Sequence, residues 1–266
     1  MKDHLLQLLA DKAPDERKNL GREYLQLYML RLIAEAGLFP SLEFVGGTAL
    51  RVLFALPRFS EDLDFSSREG VADAFDAKDV FSRLKRALEA SGYEVEVKAS
   101  TTRPVVSAFY RFPGLPAEAG WTRDRRVKLG IKVEIDRRSP AGAEVETTLV
   151  QRFFPIAVAH HDVPSLFAGK LHALLSRGFT KGRDWYDLIW YLTVHQGLEP
   201  NAALLQNALR QSGHEELITR GWREALRQLM VDLDWDIVVQ DVRPFLQRQS
   251  DLQQLNKSLL AKLLRG

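Results

Sequence analysis

Apolar positions early in the chain recur three and four apart: Leu20, Tyr24, Leu27, Tyr28 and Leu32 share one helical face, and Gly37 stands where that helix should stop. Four β-prone residues, Leu42 to Val45, then run into Gly46-Gly47, and Thr48 to Phe54 reads as a short helix ending before Pro57. Asp62-Leu63-Asp64-Phe65 alternates polar and apolar as a strand does. Val80, Phe81, Leu84 and Leu88 mark a further helix closed by Gly92. Strands are expected at 93–98, 105–112, 127–136 and 145–150, with Pro113-Gly114 turning the chain between two of them. From Val163 the period changes to a helical one, through Leu166, Lys170, Leu171 and Leu174, then 185–192, and on to the end. The pattern predicts a mixed α/β domain over 1–155 and a helical domain over 156–266, divided in the segment from Phe154-Pro155 to Pro164.

Composition narrows the setting. The chain has 266 residues, 45% hydrophobic and 27% charged, a globular balance that argues against disorder. Its apolar stretches are too short to cross a bilayer, which takes about 20 residues. Its first residues carry acid and glutamine where a secretion signal needs an apolar core. With no cysteine, disulfides, thiolate metal sites and cysteine nucleophiles are excluded. A cytoplasmic protein without a membrane partner is expected. The net charge of +2 does not by itself declare a nucleic-acid binder. Two basic runs are more pointed: Arg123–Lys128, with Arg125 and Arg126 at its centre, and Arg177–Arg183, with Lys181 and Arg183. Each suits phosphate contacts or is a solvated surface.

Chemistry concentrates around Gly46-Gly47 and the acids that follow. Glycines between a strand and a helix let the backbone and the helix N-terminus approach a phosphate, although Gly-Gly in a turn is often plain geometry. In Asp62-Leu63-Asp64 the strand period sets both carboxylates on one face, where they repel unless a cation neutralises them. Hard oxygen ligands of this kind suit Mg²⁺; the alternative is an exposed face with two solvated acids. Lys132-Val133-Glu134-Ile135-Asp136 repeats the alternation, so Glu134, with Asp136 in reserve, supplies a third carboxylate. Such a set can activate an attacking oxygen and steady a pyrophosphate leaving group. Ser60, two residues before Asp62, shares that side if the strand already runs there.

Gly46-Gly-Thr-Ala-Leu-Arg51 followed by Arg58-Phe-Ser-Glu-Asp-Leu-Asp-Phe65 resembles the signature of the AbiEii/MenT nucleotidyltransferase toxins, within the DNA polymerase β-like superfamily. The resemblance extends to Lys132-Val-Glu134 and to Lys170 with Arg177, Lys181, Arg183, Asp184 and Asp187-Leu188. It implies a polymerase β-like α+β core with a mixed or antiparallel sheet, followed by a helical lobe. It also implies Mg²⁺-dependent transfer of a nucleoside monophosphate from an NTP to RNA, the tRNA 3′ end among the acceptors, and a cognate antitoxin. By resemblance Gly46, Gly47, Thr48, Arg51, Ser60 and Lys170 face the NTP. Asp62, Asp64 and Glu134 hold metal, and Asp184 or Asp187 orients Lys170, Arg183 or the acceptor.

Other readings stand beside these. Asp184 and Asp187 fit an acidic first helical turn, and Lys170 fits a surface lysine with its stem on apolar neighbours. Helical spacing favours core packing for Trp185, Tyr186, Trp190 and Tyr191 over base stacking. The six histidines show no ligand spacing. Competing functions are nucleotidylation of a small molecule or protein, and a member that only binds RNA or a partner.

Overall fold

The computed structural model describes residues 1–68 and 76–265. The chain forms α1 (Lys2–Leu9), α2 (Pro14–Glu35), β1 (Leu42–Val45), α3 (Gly46–Phe54), β2 (Leu63–Ser67), α4 (Ala77–Ala90), β3 (Glu96–Ser100), β4 (Val105–Pro113), α5 (Leu115–Glu118), β5 (Lys128–Asp136), β6 (Val145–Gln151) and β7 (Pro155–His161). Helices follow: α6 (Val163–Ser176), α7 (Gly182–Val194), α8 (Ala202–Gln211), α9 (Glu216–Arg220), α10 (Trp222–Leu229), α11 (Trp235–Val242) and α12 (Lys257–Leu263). No helix among the described residues is long and apolar enough to cross a membrane.

Two compact units share the chain. The first takes Met1–Leu53, Phe59–Ser139 and Glu146–His160; the second takes Phe54–Arg58, Pro140–Val145 and His161–Gly266. The periodicity placed the change of character near residue 155. The segment read as a connection there is instead strand β7, since its β-branched and apolar residues Ile156 and Val158 are needed in the sheet core.

The sheet has seven strands in the order β3-β4-β5-β2-β1-β7-β6. It is mixed: β1 and β2 run antiparallel, as do β4 with β3 and β5, whereas β2 pairs with β5 and β1 with β7 in parallel. Strict alternation in β5 buries Leu129, Ile131, Val133 and Ile135 and leaves Lys132, Glu134 and Asp136 on the opposite face, as the sequence pattern requires. In β2, Leu63 and Phe65 enter the core in the same way. The Pro113-Gly114 turn leads into the short helix α5 rather than directly into a strand, because Gly114, at φ +72°, starts the helix from the left-handed region.

The 22-residue helix α2 opens on Pro14 and buries Tyr24, Leu25, Leu27, Met29 and Leu30. In the second unit, Asp162 caps α6 by accepting from Ser165 N at 2.8 Å. Position 182, where α7 begins, takes glycine because a side chain there would sit 2.8–2.9 Å from backbone atoms of Val238 in α11. Trp185, Tyr186, Trp190 and Tyr191 are all buried on α7, and Tyr191 stacks on Phe167 with ring centroids 4.6 Å apart. They are core residues, as their helical spacing indicated.

Candidate active site

On the first unit, β1 passes directly into α3 at Gly46, whose φ is +80°. Glycine is needed there twice over. The backbone angle is left-handed, and a Cβ would lie 3.0 Å from Cβ and Cγ of Asp64 and collide with its carboxylate oxygen. The Asp64 side chain therefore rests against the opening turn of α3, where the helix dipole favours negative charge.

The strand register decides which acids stand together. Asp64 is the Cα partner of Glu134 across the parallel β2–β5 pair, so the two side chains share a face on neighbouring strands. Asp136 is set opposite Ser66, two pairs further along, and its Oδ1 accepts from Arg138 N at 2.9 Å in the turn after β5. The choice of Glu134 over Asp136 is thus a matter of register. Asp62 immediately precedes β2 rather than lying within it. Asp62, Asp64 and Glu134 are all half-buried, and Glu134 Oε1 pairs with Lys132 Nζ at 2.7 Å.

Among the described residues, no three histidine or acidic side chains are drawn around one point as a closed metal centre. Asp64 and Glu134 stand in register with Asp62 two residues upstream, and carboxylate oxygens of this kind are the donors that suit a hard divalent cation.

Other residues singled out from sequence take up definite positions. Gly47 continues the first turn of α3. Thr48 is buried, and its hydroxyl donates to the Asp62 carbonyl. Arg51 is buried too: its Nε donates to Glu23 Oε1 at 2.7 Å and its guanidinium stacks 4.6 Å from the Phe59 ring centre. Ser60 lies outside the strand, because β2 starts only at Leu63, so the alternation that would set its hydroxyl beside Asp62 does not reach it. Arg125 and Arg126 are exposed in the loop before β5, and Arg126 Nε and Nη2 both donate to Asp124 at 2.9 Å.

The second unit carries an alternating row of charges. Arg58 grips Asp187 with two bonds, Nε to Oδ1 and Nη2 to Oδ2, each 2.6 Å. Lys170 Nζ lies 2.8 Å from both Asp187 Oδ2 and Asp184 Oδ1, and Arg177 Nη1 bonds the other oxygen of Asp184. Asp187 is 0% exposed and the Lys170 side chain only 11%. Burial alone would lower the Lys170 pKa, but Asp184 and Asp187 outweigh it and raise the group above its ordinary range. Burial would likewise raise Asp184; Lys170, Arg177 and Lys181 overcome it and hold the carboxyl down at about 2. Lys170 and Asp184 thus each favour the charged form of the other.

Lys170 thus has both Asp184 and Asp187 as partners, and Arg183 reaches Phe245 and Asp241. Its guanidinium lies 4.1 Å from the Phe245 ring centre, and its backbone N–H donates to Asp241 at 3.2 Å. Lys181 lines a cavity of about 200 Å³ with Arg177, Phe179, Thr180, Asp184, Trp185 and Asp232 among its walls. Burial, reinforced by Arg183, Arg177 and Lys170, lowers its pKa.

Sequence reasoning missed the partners of these residues: Arg58 had no role, and Glu23 and Gln26 were not singled out. One signal was present. Arg22, Glu23 and Gln26 interrupt the apolar run of a helix that is otherwise core, and a core helix keeps buried polar groups only where they have partners.

A family model described as "Nucleotidyl transferase AbiEii toxin, Type IV TA system" matches residues 28–261. The chain is similar to the crystal structure of a candidate nucleotidyltransferase from Helicobacter pylori, with a TM-score of 0.51 at 21% identity over 93% of this chain and 95% of that one. The structure of JHP933 from Helicobacter pylori gives a TM-score of 0.48 at 20% identity, covering 92% and 94%. At 21% identity the first of these likenesses is one of fold. No curated protein matches the chain.

Proposed function

The chain belongs to the AbiEii family of nucleotidyltransferase toxins of type IV toxin–antitoxin systems, and from that premise we propose that it transfers a nucleoside monophosphate from an NTP to RNA, the 3′ end of tRNA being the acceptor. The observation that carries this reading is the register pair Asp64–Glu134, with Asp62 two residues upstream and a glycine-opened helix packed on Asp64.

In this reading Asp62, Asp64 and Glu134 hold Mg²⁺. When bound, the ion supplies the positive charge that makes the RNA hydroxyl a better nucleophile and steadies the departing pyrophosphate. The bond formed joins the acceptor 3′ oxygen to the α-phosphorus. The bond broken is the one between that phosphorus and the bridging oxygen, which leaves with pyrophosphate, and the hydroxyl proton passes to a carboxylate or to water. The amide groups at the start of α3 suit phosphate oxygens. On the second unit, Lys170, held charged by Asp184 and Asp187, is an ammonium suited to phosphate oxygens. Arg125, Arg126, Lys181 and Arg183 supply cationic contacts to the RNA backbone. The antitoxin is the remaining partner that the family implies.

The test is to incubate purified protein with Mg²⁺ or EDTA, each α-labelled NTP and total RNA. Label entering tRNA with Mg²⁺ and absent with EDTA is expected. Label entering the protein or a small molecule instead would replace the RNA acceptor by another, and no incorporation from any NTP would overturn the reading.

A further inference from the structure

Asp62 and Asp64 stand two residues apart, yet the fold holds them by different means. Asp64 is a strand residue, paired with Val45 of β1 on one side and Glu134 of β5 on the other. Asp62 lies before the strand, so its carbonyl is met by side chains. Thr48 Oγ1 of α3 donates to it, and Gln26 Nε2 of α2 reaches it at 3.5 Å while also donating to Ser60 O at 3.2 Å.

Gln26 does not act alone. Arg22, one turn earlier on α2, pairs with Glu61 at 3.0 Å. Glu23 binds Arg51 at 2.7 Å, and Arg51 in turn stacks on Phe59. Arg152 takes both oxygens of Glu23, at 2.9 and 2.7 Å, closing that buried pair. Residues 59 to 62 are thus tied to α2 residue by residue, either directly or through Arg51. Burying three polar side chains in a core helix costs stability unless they find partners, and here Arg22 and Gln26 find theirs in residues 60 to 62 while Glu23 finds its own in Arg51 and Arg152.

We propose that Gln26 is a positioning residue, with Thr48 as its counterpart from α3, and that the two set the divalent-cation affinity of the acidic face by fixing the backbone of Asp62. This rests on the reading of Asp62, Asp64 and Glu134 as metal ligands. Asp64 and Glu134 are placed by strand pairing and need no such support; Asp62 does.

The experiment titrates Mn²⁺ into metal-free protein without NTP and follows the free ion by electron paramagnetic resonance. Wild type, Asp62→Ala, Gln26→Met and Thr48→Val are compared, with thermal melts alongside. Gln26→Met and Thr48→Val should each weaken Mn²⁺ binding about five- to tenfold, the scale of one or two lost hydrogen bonds. Their metal-free Tm should stay within about 4 °C of wild type. Saturating Mn²⁺ should bring their transfer rate back to within about threefold of wild type, whereas a merely structural defect would lower the rate at every Mn²⁺ concentration and leave the affinity unchanged. If Asp62→Ala loses the ion while both variants bind it as wild type does, the positioning role falls and the metal reading stands. If wild type and Asp62→Ala bind Mn²⁺ alike, the metal reading itself is wrong, and the positioning role falls with it. Should Gln26→Met fail to fold, Thr48→Val decides, since it removes the hydroxyl donor to the same carbonyl with little change of shape.

Discussion

The two units treat their carboxylates in opposite ways. On the first, Asp64 and Glu134 stand half-buried in register on one sheet face, with Asp62 half-buried just before the strand, and Glu134 pairs with Lys132. On the second, Asp184 and Asp187 are sealed among Arg58, Lys170 and Arg177, each oxygen matched to a cation. Carboxylates grouped on one face repel and are tolerated where a cation is recruited; carboxylates buried in alternation with cations organise the unit itself. Neutralising the first set should therefore cost function with little loss of stability, whereas neutralising the second should cost stability as well as function.

The sharpest break is Asp64→Asn, which keeps the side chain's shape against Gly46 and removes its charge. Transfer should fall on the order of 10²–10³-fold, while metal-free stability stays within about 1 kcal/mol of wild type in urea. A variant that transfers normally would return this face to a solvated surface. Asp187→Asn should cost stability as well. It leaves Arg58 and Lys170 short of a buried counter-charge and should cost roughly 3–5 kcal/mol in the same urea experiment. Wild-type stability there would mean that the row is ornamental.

Acidity sharpens the contrast at a smaller scale. The Asp184 carboxyl is held at about 2 against an ordinary 3.8, so its contribution is complete above the ordinary value and disappears as the pH falls through about 2. That contribution is about 2 kcal/mol. The stability difference between wild type and Asp184→Asn, measured with guanidinium, should be full at pH 5 and mostly gone near pH 2. Lys170 runs the other way: raised above its ordinary 10.5, it stabilises below that value and ceases to do so as the pH climbs through its raised one. A difference constant across the acid range would show that Asp184 gains nothing from its cations.

The smallest effect is expected at the loop before β5. Replacing Arg125 and Arg126 by Ala should weaken RNA binding and reduce the slope of log affinity against log salt by about 1–2, with NTP binding unchanged. A loss independent of salt would remove those residues from the RNA surface.

Much of the architecture was legible because it depends on local periodicity. Alternation in Asp62–Phe65 and Lys132–Asp136 located the acidic face, and the strand–Gly-Gly–helix order located the turn beside it. Helical spacing assigned the α7 aromatics to the core. Strand β7 was not legible as such. Its apolar residues lie beside Pro155 and Pro164, and the same run reads as a connection until a sheet is there to pair with it.

What the sequence by itself determined is the set of groups and the face each occupies within its own element, since both follow from side-chain chemistry and a period of 2.0 or 3.6. Only the tertiary structure decided which groups meet. Register chose Glu134 over Asp136 as the neighbour of Asp64, and packing gave Asp187 to Arg58, 129 residues away. Burial turned Lys170 from one surface cation among many into an ammonium aimed by two acids, and Gln26 became the support of Asp62. Such pairings join positions far apart in the chain, and no local period encodes them, because the energy that selects them exists only once burial has removed water from the competing partners.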